Sequence, residues 1–235
     1  MSRTCFALFF ATTLVWTPCA PIRDLGDLGP VVTDIEGHLP AGHPYRDADR
    51  ITWTHEGTHG INSLLRNRYG CPAFYVLKNQ AVLMREPTTT LAMPWSAVAA
   101  KVPLSLRGEV YGLYLIQMQS YWNSQPTYAF DEWVAYTNGA EARQALGIRD
   151  RAETVRYMLE FCVYAACVPQ AAGSDDPQMR AFYKWQVERA VALYRASGVR
   201  SNYLDRLRTQ PDAAPLREYL RGYCGPQWAQ RVLRL

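Results

Sequence analysis

The sequence is poor in charge and has only four histidines, so few side chains are available for metal or acid–base chemistry. Charged residues make up 20% of the 235 positions, and the net charge of +4 is too small to predict a nucleic-acid partner. Hydrophobic residues make up 49% and aromatic residues 12%, a composition of globular rather than disordered chains. We therefore expect a single domain with a sizeable core over residues 21–235.

Long apolar runs are missing beyond the N-terminal segment, so no other stretch is expected to span a membrane. Near the start, Arg3 is followed by an apolar run from Cys5 to Trp16 and then by small residues and prolines, the order of a secretory signal peptide. We predict a signal peptide over residues 1–20 and a secreted or periplasmic protein with no stable membrane insertion after its removal. A lipoprotein anchored through Cys19 and a buried N-terminal helix are the open alternatives.

No C-x-x-C pair occurs, which disfavours a metal site built from cysteines. Removal of the leader leaves Cys71, Cys162, Cys167 and Cys224, an even number in a chain that is predicted to be exported. We therefore expect one or two disulfides, whose connectivity the sequence does not give. Cys162 and Cys167 face different directions on a predicted helix, so each is expected to pair elsewhere, for instance with Cys224.

Hydrophobic periodicity and end signals predict a mainly helical α+β fold. A helix begins at Asp47 or Asp49 and ends at Gly70, which suits the left-handed position after a helix. Two β-prone runs, residues 74–77 and 81–84, predict a hairpin. Helical patterns follow over residues 105–122, 126–147, 150–168 and 176–197, with short helices after residue 201.

The segment TWTHEGTHGINS, residues 52–63, places His55, Glu56 and His59 in the middle of the first predicted helix. Residues four apart lie on the same helix face, about 5–6 Å from each other, so both imidazoles can bind one ion. Zinc favours imidazole nitrogen, and a catalytic zinc keeps three protein ligands and one open position. Glu56 is then predicted to be the general base for a metal-activated water rather than a ligand.

A third ligand must come from another part of the chain. Glu132, in FDEWVAYTNG, is the strongest candidate, because it lies on a predicted helix and is followed closely by the small Ala135. The sequence thus predicts one zinc ion bound by His55, His59 and Glu132. The alternatives that remain for the third ligand are Glu141, Asp131, His38 and His43.

HEGTH, followed far downstream by Asp131-Glu132-Trp133-Val134-Ala135, resembles the gluzincin metallopeptidases, in particular the thermolysin-like and anthrax-lethal-factor-like enzymes. The resemblance covers about thirty residues and implies a zincin-like catalytic domain with a small sheet beside the HExxH helix. This chain departs from the pattern in two ways. Residues 60–131 separate His59 from Glu132, a longer interval than in those enzymes, and contain the hairpin that in many zincins precedes the motif helix. Tyr136 stands where the thermolysin pattern has Asp.

Two tyrosines are given catalytic roles in this interpretation. Tyr136 is expected to accept a hydrogen bond from the second ring nitrogen of His55, with a core tyrosine as the alternative. Tyr128 lies one turn before Glu132 on the same helix face and is expected to donate to a developing oxyanion, for which Tyr114 and Tyr121 are weaker candidates.

These features predict a secreted zinc metallopeptidase that hydrolyses a peptide or protein substrate. An extended substrate is expected to add to the outer strand of the hairpin. One alternative is a secreted zinc-binding or interaction module without turnover, although closed structural sites prefer four protein ligands. The other is a metal-assisted hydrolase of a non-protein amide, such as a cell-wall component.

Overall fold

The structure is a computed structural model that describes residues 49–77, 80–84, 93–123 and 125–235, together with the backbone of residues 23–24. Several sequence predictions fall outside these residues: the signal peptide, the alternative at Cys19, the capping alternative Asp47, and the ligand alternatives His38 and His43. Within the described ranges, no helix is both long and apolar enough to cross a membrane.

The chain is mostly helical and has a small antiparallel sheet, so the mainly helical α+β class predicted from the sequence is confirmed. The strands are β1 (Arg23–Asp24), β2 (Ala73–Tyr75) and β3 (Gln80–Leu83). The α-helices are α1 (Arg50–Tyr69), α2 (Trp95–Lys101), α3 (Gln119–Trp122), α4 (Tyr128–Ala145), α5 (Ala152–Ala172), α6 (Pro177–Ala196), α7 (Tyr203–Thr209), α8 (Ala214–Cys224) and α9 (Pro226–Leu233). Two 3-10 helices, Leu104–Leu106 and Pro211–Ala213, and a π-helix, Gly112–Gln117, complete the helical structure of the described residues.

Helix α1 contains the His-Glu-x-x-His motif and begins and ends at residues that the sequence predicts. The Asp49 carboxylate accepts a hydrogen bond from the N–H of Ile51 at 2.9 Å and so caps the first turn. At the other end, Gly70 adopts a φ of 64° and donates its N–H to the carbonyl of Arg66. The motif therefore lies well inside a helix that is capped at both ends.

The hairpin of β2 and β3 forms as predicted, with Phe74 opposite Val82, and β1 pairs with β3 to give the order β1-β3-β2. Strand β2 lies at the edge, where Tyr75 donates its N–H to Asn62 Oδ1 at 2.6 Å and its carbonyl accepts from Asn138 Nδ2 at 2.8 Å. Because these backbone groups are already bonded, an extended peptide cannot add to the edge at Tyr75. The substrate-binding mode expected from the sequence is therefore blocked there.

Helix α4 packs against both α1 and α5, and this packing sets the position of the candidate site. The helices meet at Gly139, where a Cβ atom would lie only 3.2 Å from Thr154 Cγ2 and 3.5 Å from Ile51 Cγ2. Buried polar groups add directional contacts, since Asn138 donates to the hydroxyl of Thr58 at 2.9 Å. The close approach and the hydrogen bond hold one face of α1 opposite α4.

The disulfide prediction is wrong for the part of the chain that the structure describes. No disulfide joins any two of Cys71, Cys162, Cys167 and Cys224, and all four are buried. Cys162 donates its thiol to the carbonyl of Met158 at 3.5 Å inside α5 and is not bonded to Cys224. A helical core of this size buries enough apolar surface to be stable without cross-links.

Candidate metal centre

The three predicted ligands meet between α1 and α4. His55 Nε2 and His59 Nε2 are 3.2 Å apart, and Glu132 Oε2 lies 3.4 Å from the first nitrogen and 3.5 Å from the second. Two ligand atoms that each lie about 2.0–2.1 Å from a tetrahedral ion are separated by about 3.3 Å. The observed triangle therefore has the size of one face of a tetrahedral coordination site.

The atoms of this triangle also have the chemistry of a cation site. Glu132 Oε2 is buried and has no hydrogen-bond partner among the described residues. A buried oxygen left in this state is destabilising, and a cation between the ligands would provide the missing interaction. Two imidazole nitrogens and one carboxylate oxygen are a common ligand set for first-row divalent ions. His55, His59 and Glu132 can therefore hold a metal ion.

Charge in the site is concentrated on Glu132 and His59. Burial opposes ionisation of Glu132, but the adjacent histidines hold the pKa of its carboxyl well below the usual value. Burial likewise disfavours the charged form of His59, yet Glu132 and Asp131 raise the pKa of this imidazole well above its usual value. Two carboxylates thus act on the imidazole of His59, and their negative charge favours a cation there.

Asp131 contacts His59 and is not one of the three candidate ligands. Its Oδ1 lies 2.6 Å from His59 Nδ1 and accepts from Asn62 Nδ2 at 3.0 Å, while the guanidinium of Arg66 donates to Oδ2. This contact favours a proton on Nδ1 and leaves Nε2 free to bind a metal. Sequence reasoning missed Asn62 and Arg66, although they share a helix face with His59, at spacings of three and seven.

The remaining ligand alternative from the sequence lies in a different environment. Glu141 forms an ion pair with Arg189 at 2.8 Å, and the same guanidinium donates to Asn138 Oδ1 at 2.7 Å. A carboxylate that is bound in this way is already satisfied. Of the acidic alternatives, Glu132 is therefore the one whose carboxylate the structure places beside Nε2 of both histidines.

The two tyrosines with predicted catalytic roles lie on different sides of the histidine pair. Tyr128 stacks on His59, with ring centroids 6.3 Å apart and planes at 13°. The ring of Tyr136 meets that of His55 at 4.3 Å and 61°, while its hydroxyl lies 2.8 Å from the hydroxyl of Tyr114. Tyr136 thus contacts His55 through its ring, in place of the hydrogen bond expected from the sequence.

A cavity of about 190 Å³ opens beside the candidate metal ligands and contains the predicted general base. His55 and Glu56 form part of its wall. Tyrosines from three other elements also line it: Tyr114, Tyr136 and Tyr157. The rest of the lining consists of Ile51, Thr52, Arg151, Glu153 and Thr154. Tyr128 is not part of the lining, and Tyr121 is 72% exposed. A small molecule in this cavity would therefore contact Glu56 and lie next to His55, one of the three candidate metal ligands.

No family model matches this sequence, and no curated protein or solved structure matches it either. The function must be argued from the site alone. The features of the site that bear on function are the ligand triangle, the carboxylate beside His59 and the cavity with Glu56.

Proposed function

We propose that the protein is a zinc-dependent hydrolase of peptide bonds, with a zincin-like centre of the gluzincin type. The observation that carries the proposal is the triangle of His55 Nε2, His59 Nε2 and Glu132 Oε2, together with the cavity that His55 lines beside Glu56. Zinc is the ion proposed, because two imidazoles and one carboxylate at tetrahedral spacing are the ligands of catalytic zinc. Export, as the N-terminal sequence predicts, is part of the same proposal.

Bound zinc would supply a Lewis acid that makes water nucleophilic near neutral pH and polarises a substrate carbonyl. Glu56 accepts the proton of the attacking water and delivers it to the leaving nitrogen, so the reaction needs no covalent acyl-enzyme. Asp131 keeps His59 in the tautomer that leaves Nε2 available. The backbone N–H and carbonyl of Tyr75 on β2 are already hydrogen-bonded and cannot bind a substrate backbone. The cavity beside His55 is therefore the proposed place for a substrate side chain.

The test combines metal content with hydrolysis by the purified protein. The wild type is expected to hold one zinc per chain and to cleave casein or internally quenched peptides. Glu56→Gln is expected to retain zinc and to lose activity by about 10²-fold or more, because it removes the base and no ligand. Glu132→Gln is expected to lose zinc as well. Glu218→Gln, an exposed glutamate paired with Arg221, is the matched control and should leave zinc and activity unchanged.

Three outcomes would contradict the proposal in different ways. A wild type without stoichiometric zinc refutes the metal centre. Zinc without turnover of any peptide identifies a binding module. Hydrolysis of peptidoglycan fragments but not of casein or peptides identifies a hydrolase of non-protein amides.

A further inference from the structure

A second cavity, of about 910 Å³, lies where the chain before the π-helix meets α5 and α7. Its volume is within the range of about 300–1,000 Å³ that small-molecule sites occupy. It shares no lining residue with the cavity beside His55, so it is a separate feature of the fold. The charged side chains of its lining are Arg107, Arg156, Arg200, Arg206, Glu109 and Glu160.

Both carboxylates of this lining are already bonded. Glu109 forms an ion pair with Arg156 at 2.7 Å. Glu160 is 3% exposed and accepts hydrogen bonds from the N–H groups of Glu109 at 2.9 Å and Val110 at 3.1 Å. The hydroxyl of Tyr164 donates to the same carboxylate at 2.9 Å. Even with Glu160 fully ionised, the lining carries four positive and two negative side chains, a net charge of +2.

The other three arginines of the lining have no carboxylate partner. Among the described residues, no ion pair involves Arg107, Arg200 or Arg206. The guanidinium of Arg107 lies over the ring of Tyr111 at 4.7 Å, and that of Arg206 lies over the ring of Tyr203 at 5.1 Å. Stacking of this kind covers the face of a guanidinium and leaves N–H groups at its edge for an acceptor.

Hydrogen bonds to α7 hold the chain on which Arg107 lies. The hydroxyl of Tyr203 donates to the carbonyl of Leu106 at 2.7 Å. Arg206 donates from Nη1 to the carbonyl of Ser105 at 2.9 Å, while its buried Nε has no hydrogen-bond partner among the described residues. Part of this guanidinium therefore still lacks an acceptor.

The loop between α6 and α7, which carries Arg200, is also held in place. The hydroxyl of Tyr194 donates to the carbonyl of Ser201 at 2.8 Å, and the N–H of Val199 donates to Oγ of Ser197 at 3.1 Å. A fixed backbone thus keeps three unpaired positive charges at one cavity, where they repel one another. An anion in the cavity would offset this repulsion, and little of the protein would have to be ordered to bind it.

We propose that this cavity binds a small molecule with clustered negative charge, either a phosphate group or a pair of carboxylates. Guanidinium groups bind both through paired N–H···O hydrogen bonds. Arg107 and Arg200 are exposed, so their charges are accessible to such a ligand. The site is separate from the candidate metal centre, and the proposal does not depend on the proposed hydrolysis.

The test is calorimetric titration of the full chain with inorganic phosphate and, separately, with succinate, at an ionic strength kept constant with sodium chloride. Saturable binding is expected, and the anion that binds more tightly identifies the ligand class. Arg107→Gln and Arg200→Gln should each weaken binding about 10-fold, because each removes a charged hydrogen-bond donor. The matched control is Arg68→Gln, at an exposed arginine that lies over the ring of Tyr69 at 5.6 Å and lines neither cavity. Its affinity for both anions should equal that of the wild type.

Glu132→Gln separates this site from the candidate metal centre, since an anion can also bind to a metal ion. This variant should bind phosphate or succinate as tightly as the wild type does. Loss of binding in Glu132→Gln would place the anion at the metal and overturn the proposal. An equal loss in Arg68→Gln and Arg107→Gln also overturns it, because net charge and not the cavity would then determine binding. A wild type that binds neither anion saturably overturns it as well.

Discussion

Asp131 and Glu132 are neighbours in the sequence but have different roles at the candidate centre. Adjacent residues of an α-helix point about 100° apart, so one carboxylate completes the ligand triangle while the other lies against the far nitrogen of His59. The sequence leaves both residues open as ligands because both are acidic. The position of α4 relative to α1 decides between them.

Asp131→Asn should weaken metal binding even though Asp131 is not a ligand. The amide cannot serve as a charged acceptor for His59 and Arg66, so His59 is no longer held in the tautomer with Nε2 free. Zinc affinity, measured by chelator competition, is expected to fall about 10–100-fold. Asp205→Asn, at an exposed aspartate paired with Arg208, is the control and should have no effect. Equal affinities in Asp131→Asn and the wild type would show that His59 needs no partner.

Part of the site follows from local spacing and part does not. His55, Glu56 and His59 are predictable because a four-residue spacing defines a helix face in any context. The contact between Tyr136 and Tyr114 depends on how a π-helix packs against α4, and no spacing in the sequence encodes it. The sequence therefore predicts the ligands better than the groups that support them.

At the scale of elements, local sequence signals predict α1 but not the segment before α3. Asp49 and Gly70 mark the ends of α1 through local hydrogen bonds, so the prediction holds. The expected helix over residues 105–122 is instead divided into a 3-10 helix, a π-helix and α3. Inside the π-helix, the carbonyl of Tyr114 accepts a hydrogen bond from the indole of Trp95, a contact between residues far apart in the sequence. Helix α2 was not predicted, because it is short and has no side-chain cap.

Two glycines in this segment offer a matched pair of substitutions. A Cβ at Gly108 would lie 2.1 Å from the carboxyl carbon of Glu160, which is 3% exposed and accepts from the N–H groups of Glu109 and Val110. Gly108→Ala must displace this carboxylate, and we expect a loss of about 1–3 kcal/mol in the free energy of unfolding. Gly112 has no atom within 4 Å of the added Cβ, so Gly112→Ala should be neutral or stabilise by up to about 1 kcal/mol.

Urea denaturation of the metal-free proteins measures both effects. Similar free energies of unfolding for the two variants would mean that Glu160 does not hold the start of this segment. A larger loss of the free energy of unfolding in Gly112→Ala than in Gly108→Ala would contradict the packing that the structure shows around both glycines.

At the scale of the whole molecule, the thiols behave as core residues. Cys162, Cys167 and Cys224 are buried, and burial raises the pKa of each, for Cys224 to about 12. Protonated buried thiols are poor nucleophiles. At pH 8 iodoacetamide is therefore expected to leave all three unmodified in the native protein and to label them fully in denaturant without reductant. Mass spectrometry of the digest measures both, and a disulfide-linked peptide containing any of them would contradict the structure.

The candidate centre also joins distant parts of the chain, since α1 and α4 provide its ligands and residues 60–131 lie between them. An ion that binds only when these helices are packed together stabilises the folded state by mass action. The stabilisation should reach about 2.7 kcal/mol at a free zinc concentration of 100 times the dissociation constant and about 4.1 kcal/mol at 1,000 times. A series of calorimetric scans at increasing zinc concentration measures this shift, and a chelator should reverse it.

Substitution of one ligand provides the control for the zinc-dependent stabilisation, and the ligands also make this stabilisation depend on pH. Glu132→Gln should unfold at a temperature that does not respond to zinc at concentrations that stabilise the wild type. The shift in the wild type should decrease on acidification, because protons compete with zinc for the histidine nitrogens and the adjacent carboxylates, opposed by burial, raise the pKa of His59. If Glu132→Gln and the wild type show the same zinc-dependent shift, the ion binds elsewhere, and the triangle between α1 and α4 is not the metal centre.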